Sequence, residues 1–319
     1  MDFLRGIDAL PHDARLAVTV GVFDGVHRGH QQVFSVLERT ARRLGAMPVV
    51  VTFDPHPEAV VVGRAPDLLM DQQERLEWIS RLVAGMVVLQ RFDEVFRRTT
   101  AEEFMARLGG GRNLAALVMT HVSTFGRDRA GTLPVLREMG LRGGWETVEA
   151  PTLDLRGARI SSARARELVV AGRLAGAARL LGRPYALLGD VVHGERRGRE
   201  LGYPTANLSF ADPVCLPPDG IYAARATWGG EAILSPSRHA DAVISLGTQP
   251  TFGGRVRLLE VHLLDLDEDL YGQRMRVEFC RRLRAQKRYD SAEELIEQMG
   301  RDVARARGIL AASDPGPNA

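Results

Sequence analysis

Two histidines three residues apart, His27 and His30, close the segment Gly21-Val-Phe-Asp-Gly-Val-His-Arg-Gly-His30. The apolar run Leu16–Val22 leads into it, and a helical pattern starts at once. Gly21 and Gly25 at a strand-to-helix turn let backbone N–H groups approach a phosphate, and the helix N-terminus favours the anion. Phe23 and Asp24 fill the turn between them. A spacing of three aims both imidazoles at one place. Two such donors on a triphosphate would stabilise the charge that builds on departing pyrophosphate. The segment predicts a nucleotide site.

A second segment, Gly189 to Leu208, carries a different chemistry. Gly189, Gly194, Gly198 and Gly202 predict a pliant loop whose backbone amides can wrap ATP phosphates. Pro204 stiffens the chain after the loop, and Thr205 and Asn207, two apart, project to one side if the stretch is extended. A hydroxyl and an amide carbonyl are hard oxygen ligands, suited to magnesium that keeps its waters and shares oxygens with a nucleotide.

One composition fact removes several alternatives. Lys287 is the only lysine of the 319 residues. A Walker A loop, a protein-kinase fold and a Schiff-base enzyme each need a lysine in a set context, and LRAQKRYDS offers none of them. With 42 basic against 40 acidic residues, the balance gives no reason to expect nucleic acid or an anionic membrane. Apolar runs such as Ala59–Val62 fall far short of the ~20 residues of a spanning helix. The N-terminus has no apolar signal core. Cys215 and Cys280 lack metal-ligand spacing and read as buried thiols of the cytoplasm.

The elements that must position these residues fall into two textures. Up to residue 183, apolar strands (Leu16–Val22, Pro48–Phe53, Met86–Phe92, Leu114–Thr120 and Trp145–Ala150) alternate with amphipathic helices, among them Gln72–Leu82 and Ala101–Leu108. That alternation predicts an α/β domain over 1–183, a doubly wound parallel sheet with ligands at its carboxyl ends. From 184 to 312, β-rich runs with dense turns predict a small β-barrel or sandwich, closed by a helix over Ser291–Leu310. Residues 313–319 are expected to be a disordered tail.

Further segments complete a resemblance. Val51-Thr-Phe-Asp-Pro-His-Pro57 follows the second strand and brings His56. Ile160-Ser-Ser-Ala-Arg-Ala-Arg166 opens a helix that Ser161 or Ser162 can cap while Arg166 reaches a phosphate. Pro-Thr-Ala-Asn after Gly-Arg-x-Leu-Gly, then Gly220–Ala223, Ile244–Phe252 and Glu260–Asp267, occur in the order of a riboflavin kinase. Over nearly its whole length the chain resembles the bifunctional bacterial riboflavin kinase/FAD synthetases. The resemblance implies a nucleotidyltransferase half that transfers AMP from ATP to FMN, giving FAD. It implies a barrel half that phosphorylates riboflavin to FMN with ATP and Mg, with Glu260 as general base. Small molecules would be the partners; the oligomeric state stays open between a monomer and a weak homo-oligomer. The chain departs from the family at Thr120, Val122, Ser123, Ala163 and Ala165. An alternative therefore stands beside this reading: a riboflavin kinase whose N-terminal half takes another phosphate acceptor, has lost adenylylation, or regulates by binding nucleotide.

Overall fold

The computed structural model describes residues 3–193, 202–251, 254–266 and 268–312. It contains two compact units, one of Met1–Leu68 with Gln72–Ser162, the other of Leu69–Asp71 with the chain from Ala163 onward.

The first unit is built on six strands: β1 (Leu4–Arg5), β2 (Arg15–Val20), β3 (Met47–Asp54), β4 (Met86–Arg91), β5 (Asn113–Met119) and β6 (Glu146–Glu149). They pair in the order β1-β4-β3-β2-β5-β6, every neighbour parallel. Helices α1 (Arg28–Leu44), α3 (Gln72–Leu82), α5 (Ala101–Gly109) and α6 (Leu133–Gly143) supply the crossovers, with short α2 (Pro57–Val61) and α4 (Glu94–Arg97) between. Parallel strands covered on both faces carry continuous apolar runs. Val18, Val49, Val51, Val88 and Leu117 accordingly show no exposure. The chain winds one way from β2 through β3 to β4, then crosses back to place β5 on the other side of β2. The crevice at such a reversal, outside the carboxyl ends of β2 and β5, is where a doubly wound sheet binds ligands.

The second unit begins with α7 (Ser162–Val170, from Ala163) and α8 (Leu174–Leu181). A closed barrel comes next, of β9 (Ala186–Val192), β10 (Ala206–Ser209), β11 (Gly220–Trp228), β12 (Arg238–Thr251), β13 (Gly254–Leu263) and β14 (Arg274–Arg284). Its order is β10-β13-β12-β11-β14-β9, with β9 paired to both β14 and β10. Inward residues alternate with outward ones. Leu259, Val261 and Leu263 point in, as do Ala242, Ile244 and Leu246 on the next strand. The interior also takes Phe279, edge-on to Tyr222 at 5.3 Å.

The terminal helix, Ala292–Ala312, lies on the barrel's outside, packing Ala306 and Leu310 against Ile221, Ala223 and Leu283. A bidentate pair fixes it: Arg284 on β14 donates to both carboxylate oxygens of buried Asp302 at 2.7–3.0 Å. Gln298 adds a third donor to that carboxylate at 3.0 Å. Arg284, at the end of β14, thus seats the helix on the barrel. Two acids that follow β13 are in ion pairs, Asp265 with Arg307 at 2.7 Å and Glu268 with Arg238 at 2.5 Å. The Arg307 hydrogen bonds hold the Asp265 carboxyl below its ordinary range. Asp267 and the tail 313–319 lie outside the described residues.

Candidate functional site

The turn after β2 is short and strained. Phe23 and Val26 both adopt positive φ, 55° and 37°, with Gly25 at 78° between them. Left-handed backbone is costly for an aromatic and more so for a β-branched residue, and such strain collects at functional sites. Anchors from several elements hold the turn. The Gly21 N–H donates to the Val51 carbonyl at 3.0 Å, and Thr52 Oγ1 donates to the Val22 carbonyl at 3.0 Å. Gln31 Nε2 reaches back to the Val26 carbonyl at 2.9 Å. Gly21 is required by packing, because a Cβ there would meet the Phe23 ring at 2.9 Å. The same ring meets His30 edge-on at 5.1 Å and Phe34 at 4.9 Å.

His27 is the N-cap of α1. Its Nδ1 accepts the His30 N–H at 3.2 Å, and the two imidazoles stack with centroids 3.6 Å apart. An accepting Nδ1 fixes the neutral tautomer, so the proton sits on Nε2, which is then the donor. Asp24 and His27 are both buried. Ser162 Oγ donates to the Asp24 carbonyl at 2.9 Å. Of the two serines considered as caps of α7, Ser162 is thus the helix's first residue and is spent on the turn after β2. His56, at the carboxyl end of neighbouring β3, accepts the Glu58 N–H at 3.2 Å and caps α2. Arg166 belongs to the second unit, where its carbonyl takes the Cys215 thiol at 3.8 Å. The structure therefore gathers Gly21, Phe23, Asp24, Gly25, His27, His30 and Ser162 into one cluster. Sequence reading missed Thr52 and Gln31, whose only signal is an ordinary polar residue near the motif.

At the end of β5, adjacent to β2, the divergent residues form their own turn. Thr120 and Ser123 hydroxyls bond to each other at 2.7 Å, and the Ser123 N–H donates to the Thr120 carbonyl at 3.1 Å. Val122 is 45% exposed. His121 lies 3.7 Å from Glu149, which Arg137 also holds at 2.8 Å.

In the barrel, register brings the candidate residues together. Asn207 on β10 and Glu260 on β13 are direct cross-strand partners. Side chains of opposed residues share a face with Cβ atoms about 4.5–5.5 Å apart. Since Leu259 and Val261 point inward, Glu260 and Asn207 point out. Thr205 lies two residues before Asn207, and the Pro204 carbonyl accepts from His262 Nδ1 at 2.8 Å. The donor set, a hydroxyl and an amide carbonyl beside a carboxylate, fits a hard divalent cation brought in with a nucleotide. Gly202 has φ 81° with open space where a Cβ would stand, as a turn glycine should. Gly189 differs from the loop expectation. It lies inside β9, where a Cβ would come within 2.7 Å of the Ser209 carbonyl oxygen. Gly194 and Gly198 lie outside the described residues.

Comparison with known proteins assigns both halves. The FAD synthetase family model matches residues 10–164, and the riboflavin kinase (flavokinase) model matches residues 181–310. A bifunctional riboflavin kinase/FMN adenylyltransferase of Escherichia coli K12 is 34% identical over 319 residues, covering 99% of this chain and 100% of that one. The chain belongs to the bifunctional riboflavin kinase/FMN adenylyltransferase family. The member from Bacillus subtilis 168 is 31% identical over 300 residues, 92% of each chain. Among solved structures, a Streptococcus pneumoniae protein titled a macrolide-efflux protein superposes with a TM-score of 0.82 at 29% identity. That match covers 96% of this chain and 99% of that one. Among the described residues, no helix is long and apolar enough to cross a membrane.

Proposed function

We propose that the barrel phosphorylates riboflavin to FMN with ATP and that the parallel-sheet unit adenylylates FMN to FAD. The observation that carries the kinase reading is the register that sets Glu260 opposite Asn207. In the first reaction the ribityl 5′-hydroxyl attacks the γ-phosphorus of ATP. Its proton passes to a Glu260 carboxylate oxygen as the new O–P bond forms. The bond to the β,γ-bridging oxygen breaks, and ADP leaves with that electron pair. Thr205 and Asn207 would hold magnesium, which when bound neutralises charge on the β- and γ-phosphates.

In the second reaction an FMN phosphate oxygen attacks the α-phosphorus of ATP. The α,β-bridging bond breaks and pyrophosphate leaves. His27, through Nε2–H, and His30 donate to the departing charge, while Gly21 to Gly25 bring backbone close to the phosphates. His56, Ser161 and Ser162 complete the ATP side in this reading, and Gly202 and Pro204 that of the kinase. A cytoplasmic location agrees with two thiols, of which Cys280 is pushed up to about 11 by burial and by Glu278.

A narrower reading rests on the exposed Val122 and the Thr120–Ser123 hydroxyl pair, which turn a polar acceptor surface onto itself. In that case the first unit would bind nucleotide without making FAD, or would use another acceptor. Incubation with riboflavin, or with FMN, plus ATP and magnesium separates the readings by chromatography against both flavin standards. Both FMN and FAD are expected, with pyrophosphate released in step with FAD. FMN without FAD would remove the adenylylation and leave the narrower reading.

A further inference from the structure

Strand β10 is entered through Tyr203-Pro204-Thr205, three residues that precede its ladder. Pairing with β13 runs from Leu208 opposite Leu259 back to Ala206 opposite Val261 and stops there. One step further along the two chains, Thr205 comes level with His262. Pro204 has no N–H to offer a neighbouring strand. Its carbonyl is taken instead by a side chain, that of His262, whose Nδ1 lies 2.8 Å away. A carbonyl oxygen only accepts, so Nδ1 carries the proton. The same imidazole meets the Tyr203 ring edge-on at 5.3 Å. The Tyr203 hydroxyl in turn lies 3.5 Å from where a Cβ of Gly300, on the terminal helix, would stand. One side chain of β13 thus grips the two consecutive residues just ahead of Thr205. Val261 and Leu263 are buried in the barrel, which puts His262 on the outer face with Glu260, about 7 Å along the strand.

We propose that His262 is a positioning residue of the kinase reaction, holding the Tyr203–Pro204 segment so that Thr205 is presented with Asn207 to the nucleotide and its magnesium. This rests on the reading of Thr205 and Asn207 as the cation-side residues. Asn207 is fixed by the ladder itself, opposite Glu260 on one side and Val192 on the other. Thr205 lies outside the ladder and takes its place from the residues before it. With the imidazole gone, the Pro204 carbonyl loses its donor and the backbone at Thr205 is free to turn away from Asn207. Neutral Nδ1–H imidazole and imidazolium both donate from Nδ1, so the contact does not depend on the protonation of Nε2. His262 acts through the Pro204 backbone, not on the reacting atoms.

The test compares two amides at one position of the full chain. In His262→Asn the amide nitrogen stands where Nδ1 stood and still donates to Pro204. In His262→Gln it stands near the former Nε2 and misses the carbonyl. His262→Gln should raise KM for ATP in riboflavin phosphorylation about tenfold, the effect of one lost hydrogen bond, with KM for riboflavin and FAD formation from supplied FMN unchanged. His262→Asn should stay within about threefold of the wild type. Calorimetric titration with ADP and magnesium should rank the variants the same way, on the binding event that Thr205→Val also weakens. Equal KM for ATP in the Asn and Gln variants would overturn the proposal, as would a Gln variant changed only in unfolding temperature. If His262→Gln does not fold, His262→Phe makes the same comparison with Asn, since it keeps a ring against Tyr203 and removes the donor. Thr205→Val separates the two claims. An unchanged KM for ATP there removes the cation-side reading and this proposal together, whereas a raised one beside an unmoved His262→Gln removes only this proposal.

Discussion

The two sites of this chain are built in opposite ways. The site after β2 is a contiguous turn, Gly21 to His30, held in left-handed backbone and capped by its own histidine. The barrel site has no such continuity. Asn207 and Glu260 come from two strands and meet only through register. A strained turn carries its geometry with it and needs neighbours only as props. A ladder row is cheap locally, yet a slip of one residue would turn Glu260 into the barrel and Leu259 out. The first site is vulnerable to changes within the turn, the second to changes in how strands are pinned.

The strongest cut at this contrast is Glu260→Gln. FMN formation should fall by about 10²–10⁴, the ordinary contribution of a positioned base, while FAD formation from supplied FMN stays at the wild-type rate. Parallel losses in both reactions would show that the sites are not chemically separate. The reciprocal cut is His27→Asn, which keeps an N-cap oxygen for α1 but removes the Nε2–H donor. FAD formation should fall by about 10²–10³, with riboflavin phosphorylation and thermal stability nearly unchanged. Retained FAD synthesis would reduce His27 to a cap. The smallest effect on rate, and the largest on folding, is expected from Arg284→Ala. Stranding the Asp302 carboxylate, 7% exposed, should cost about 3–5 kcal/mol by denaturant titration. FAD formation at low temperature should hold. A change below ~1 kcal/mol would mean that apolar packing alone seats the terminal helix.

The same contrast explains what the sequence disclosed. Gln72–Leu82 is a helix with the ends its apolar periodicity predicts, and the five long parallel strands fall within about two residues of expectation. Local patterning also exposed the glycines and histidines of the turn. It gave no hint that Val26 adopts positive φ, since a valine there contradicts its own preference. Helix α6 is hard to see in the sequence, where Pro134 and Gly140 interrupt its apolar pattern. Pro134 in fact lies in the first turn, and Gly140 admits the Trp145 carbonyl, which would stand 2.7 Å from a Cβ. The four-residue β10 is too short for any period to register, although it brings in Asn207. Pro204 and His262 are 58 residues apart, and no local pattern announces their contact. Gly189 read as part of a loop because glycine density does not distinguish a flexible turn from close packing of strands.

The closing ladder between β9 and β14 has a consequence for the order in which the chain is made. The last strand of the barrel ends at Arg284 and must pair with the first, which starts at Ala186. Until nearly a hundred residues after β9 have left the ribosome, the barrel is an open sheet with two unpaired edges. The parallel sheet, by contrast, has its sixth strand by Glu149. Domains fold as units from the N-terminus during synthesis. The nascent chain therefore presents the nucleotidyltransferase fold first, and the exposed edges of the unfinished barrel are the surface on which a chaperone would act.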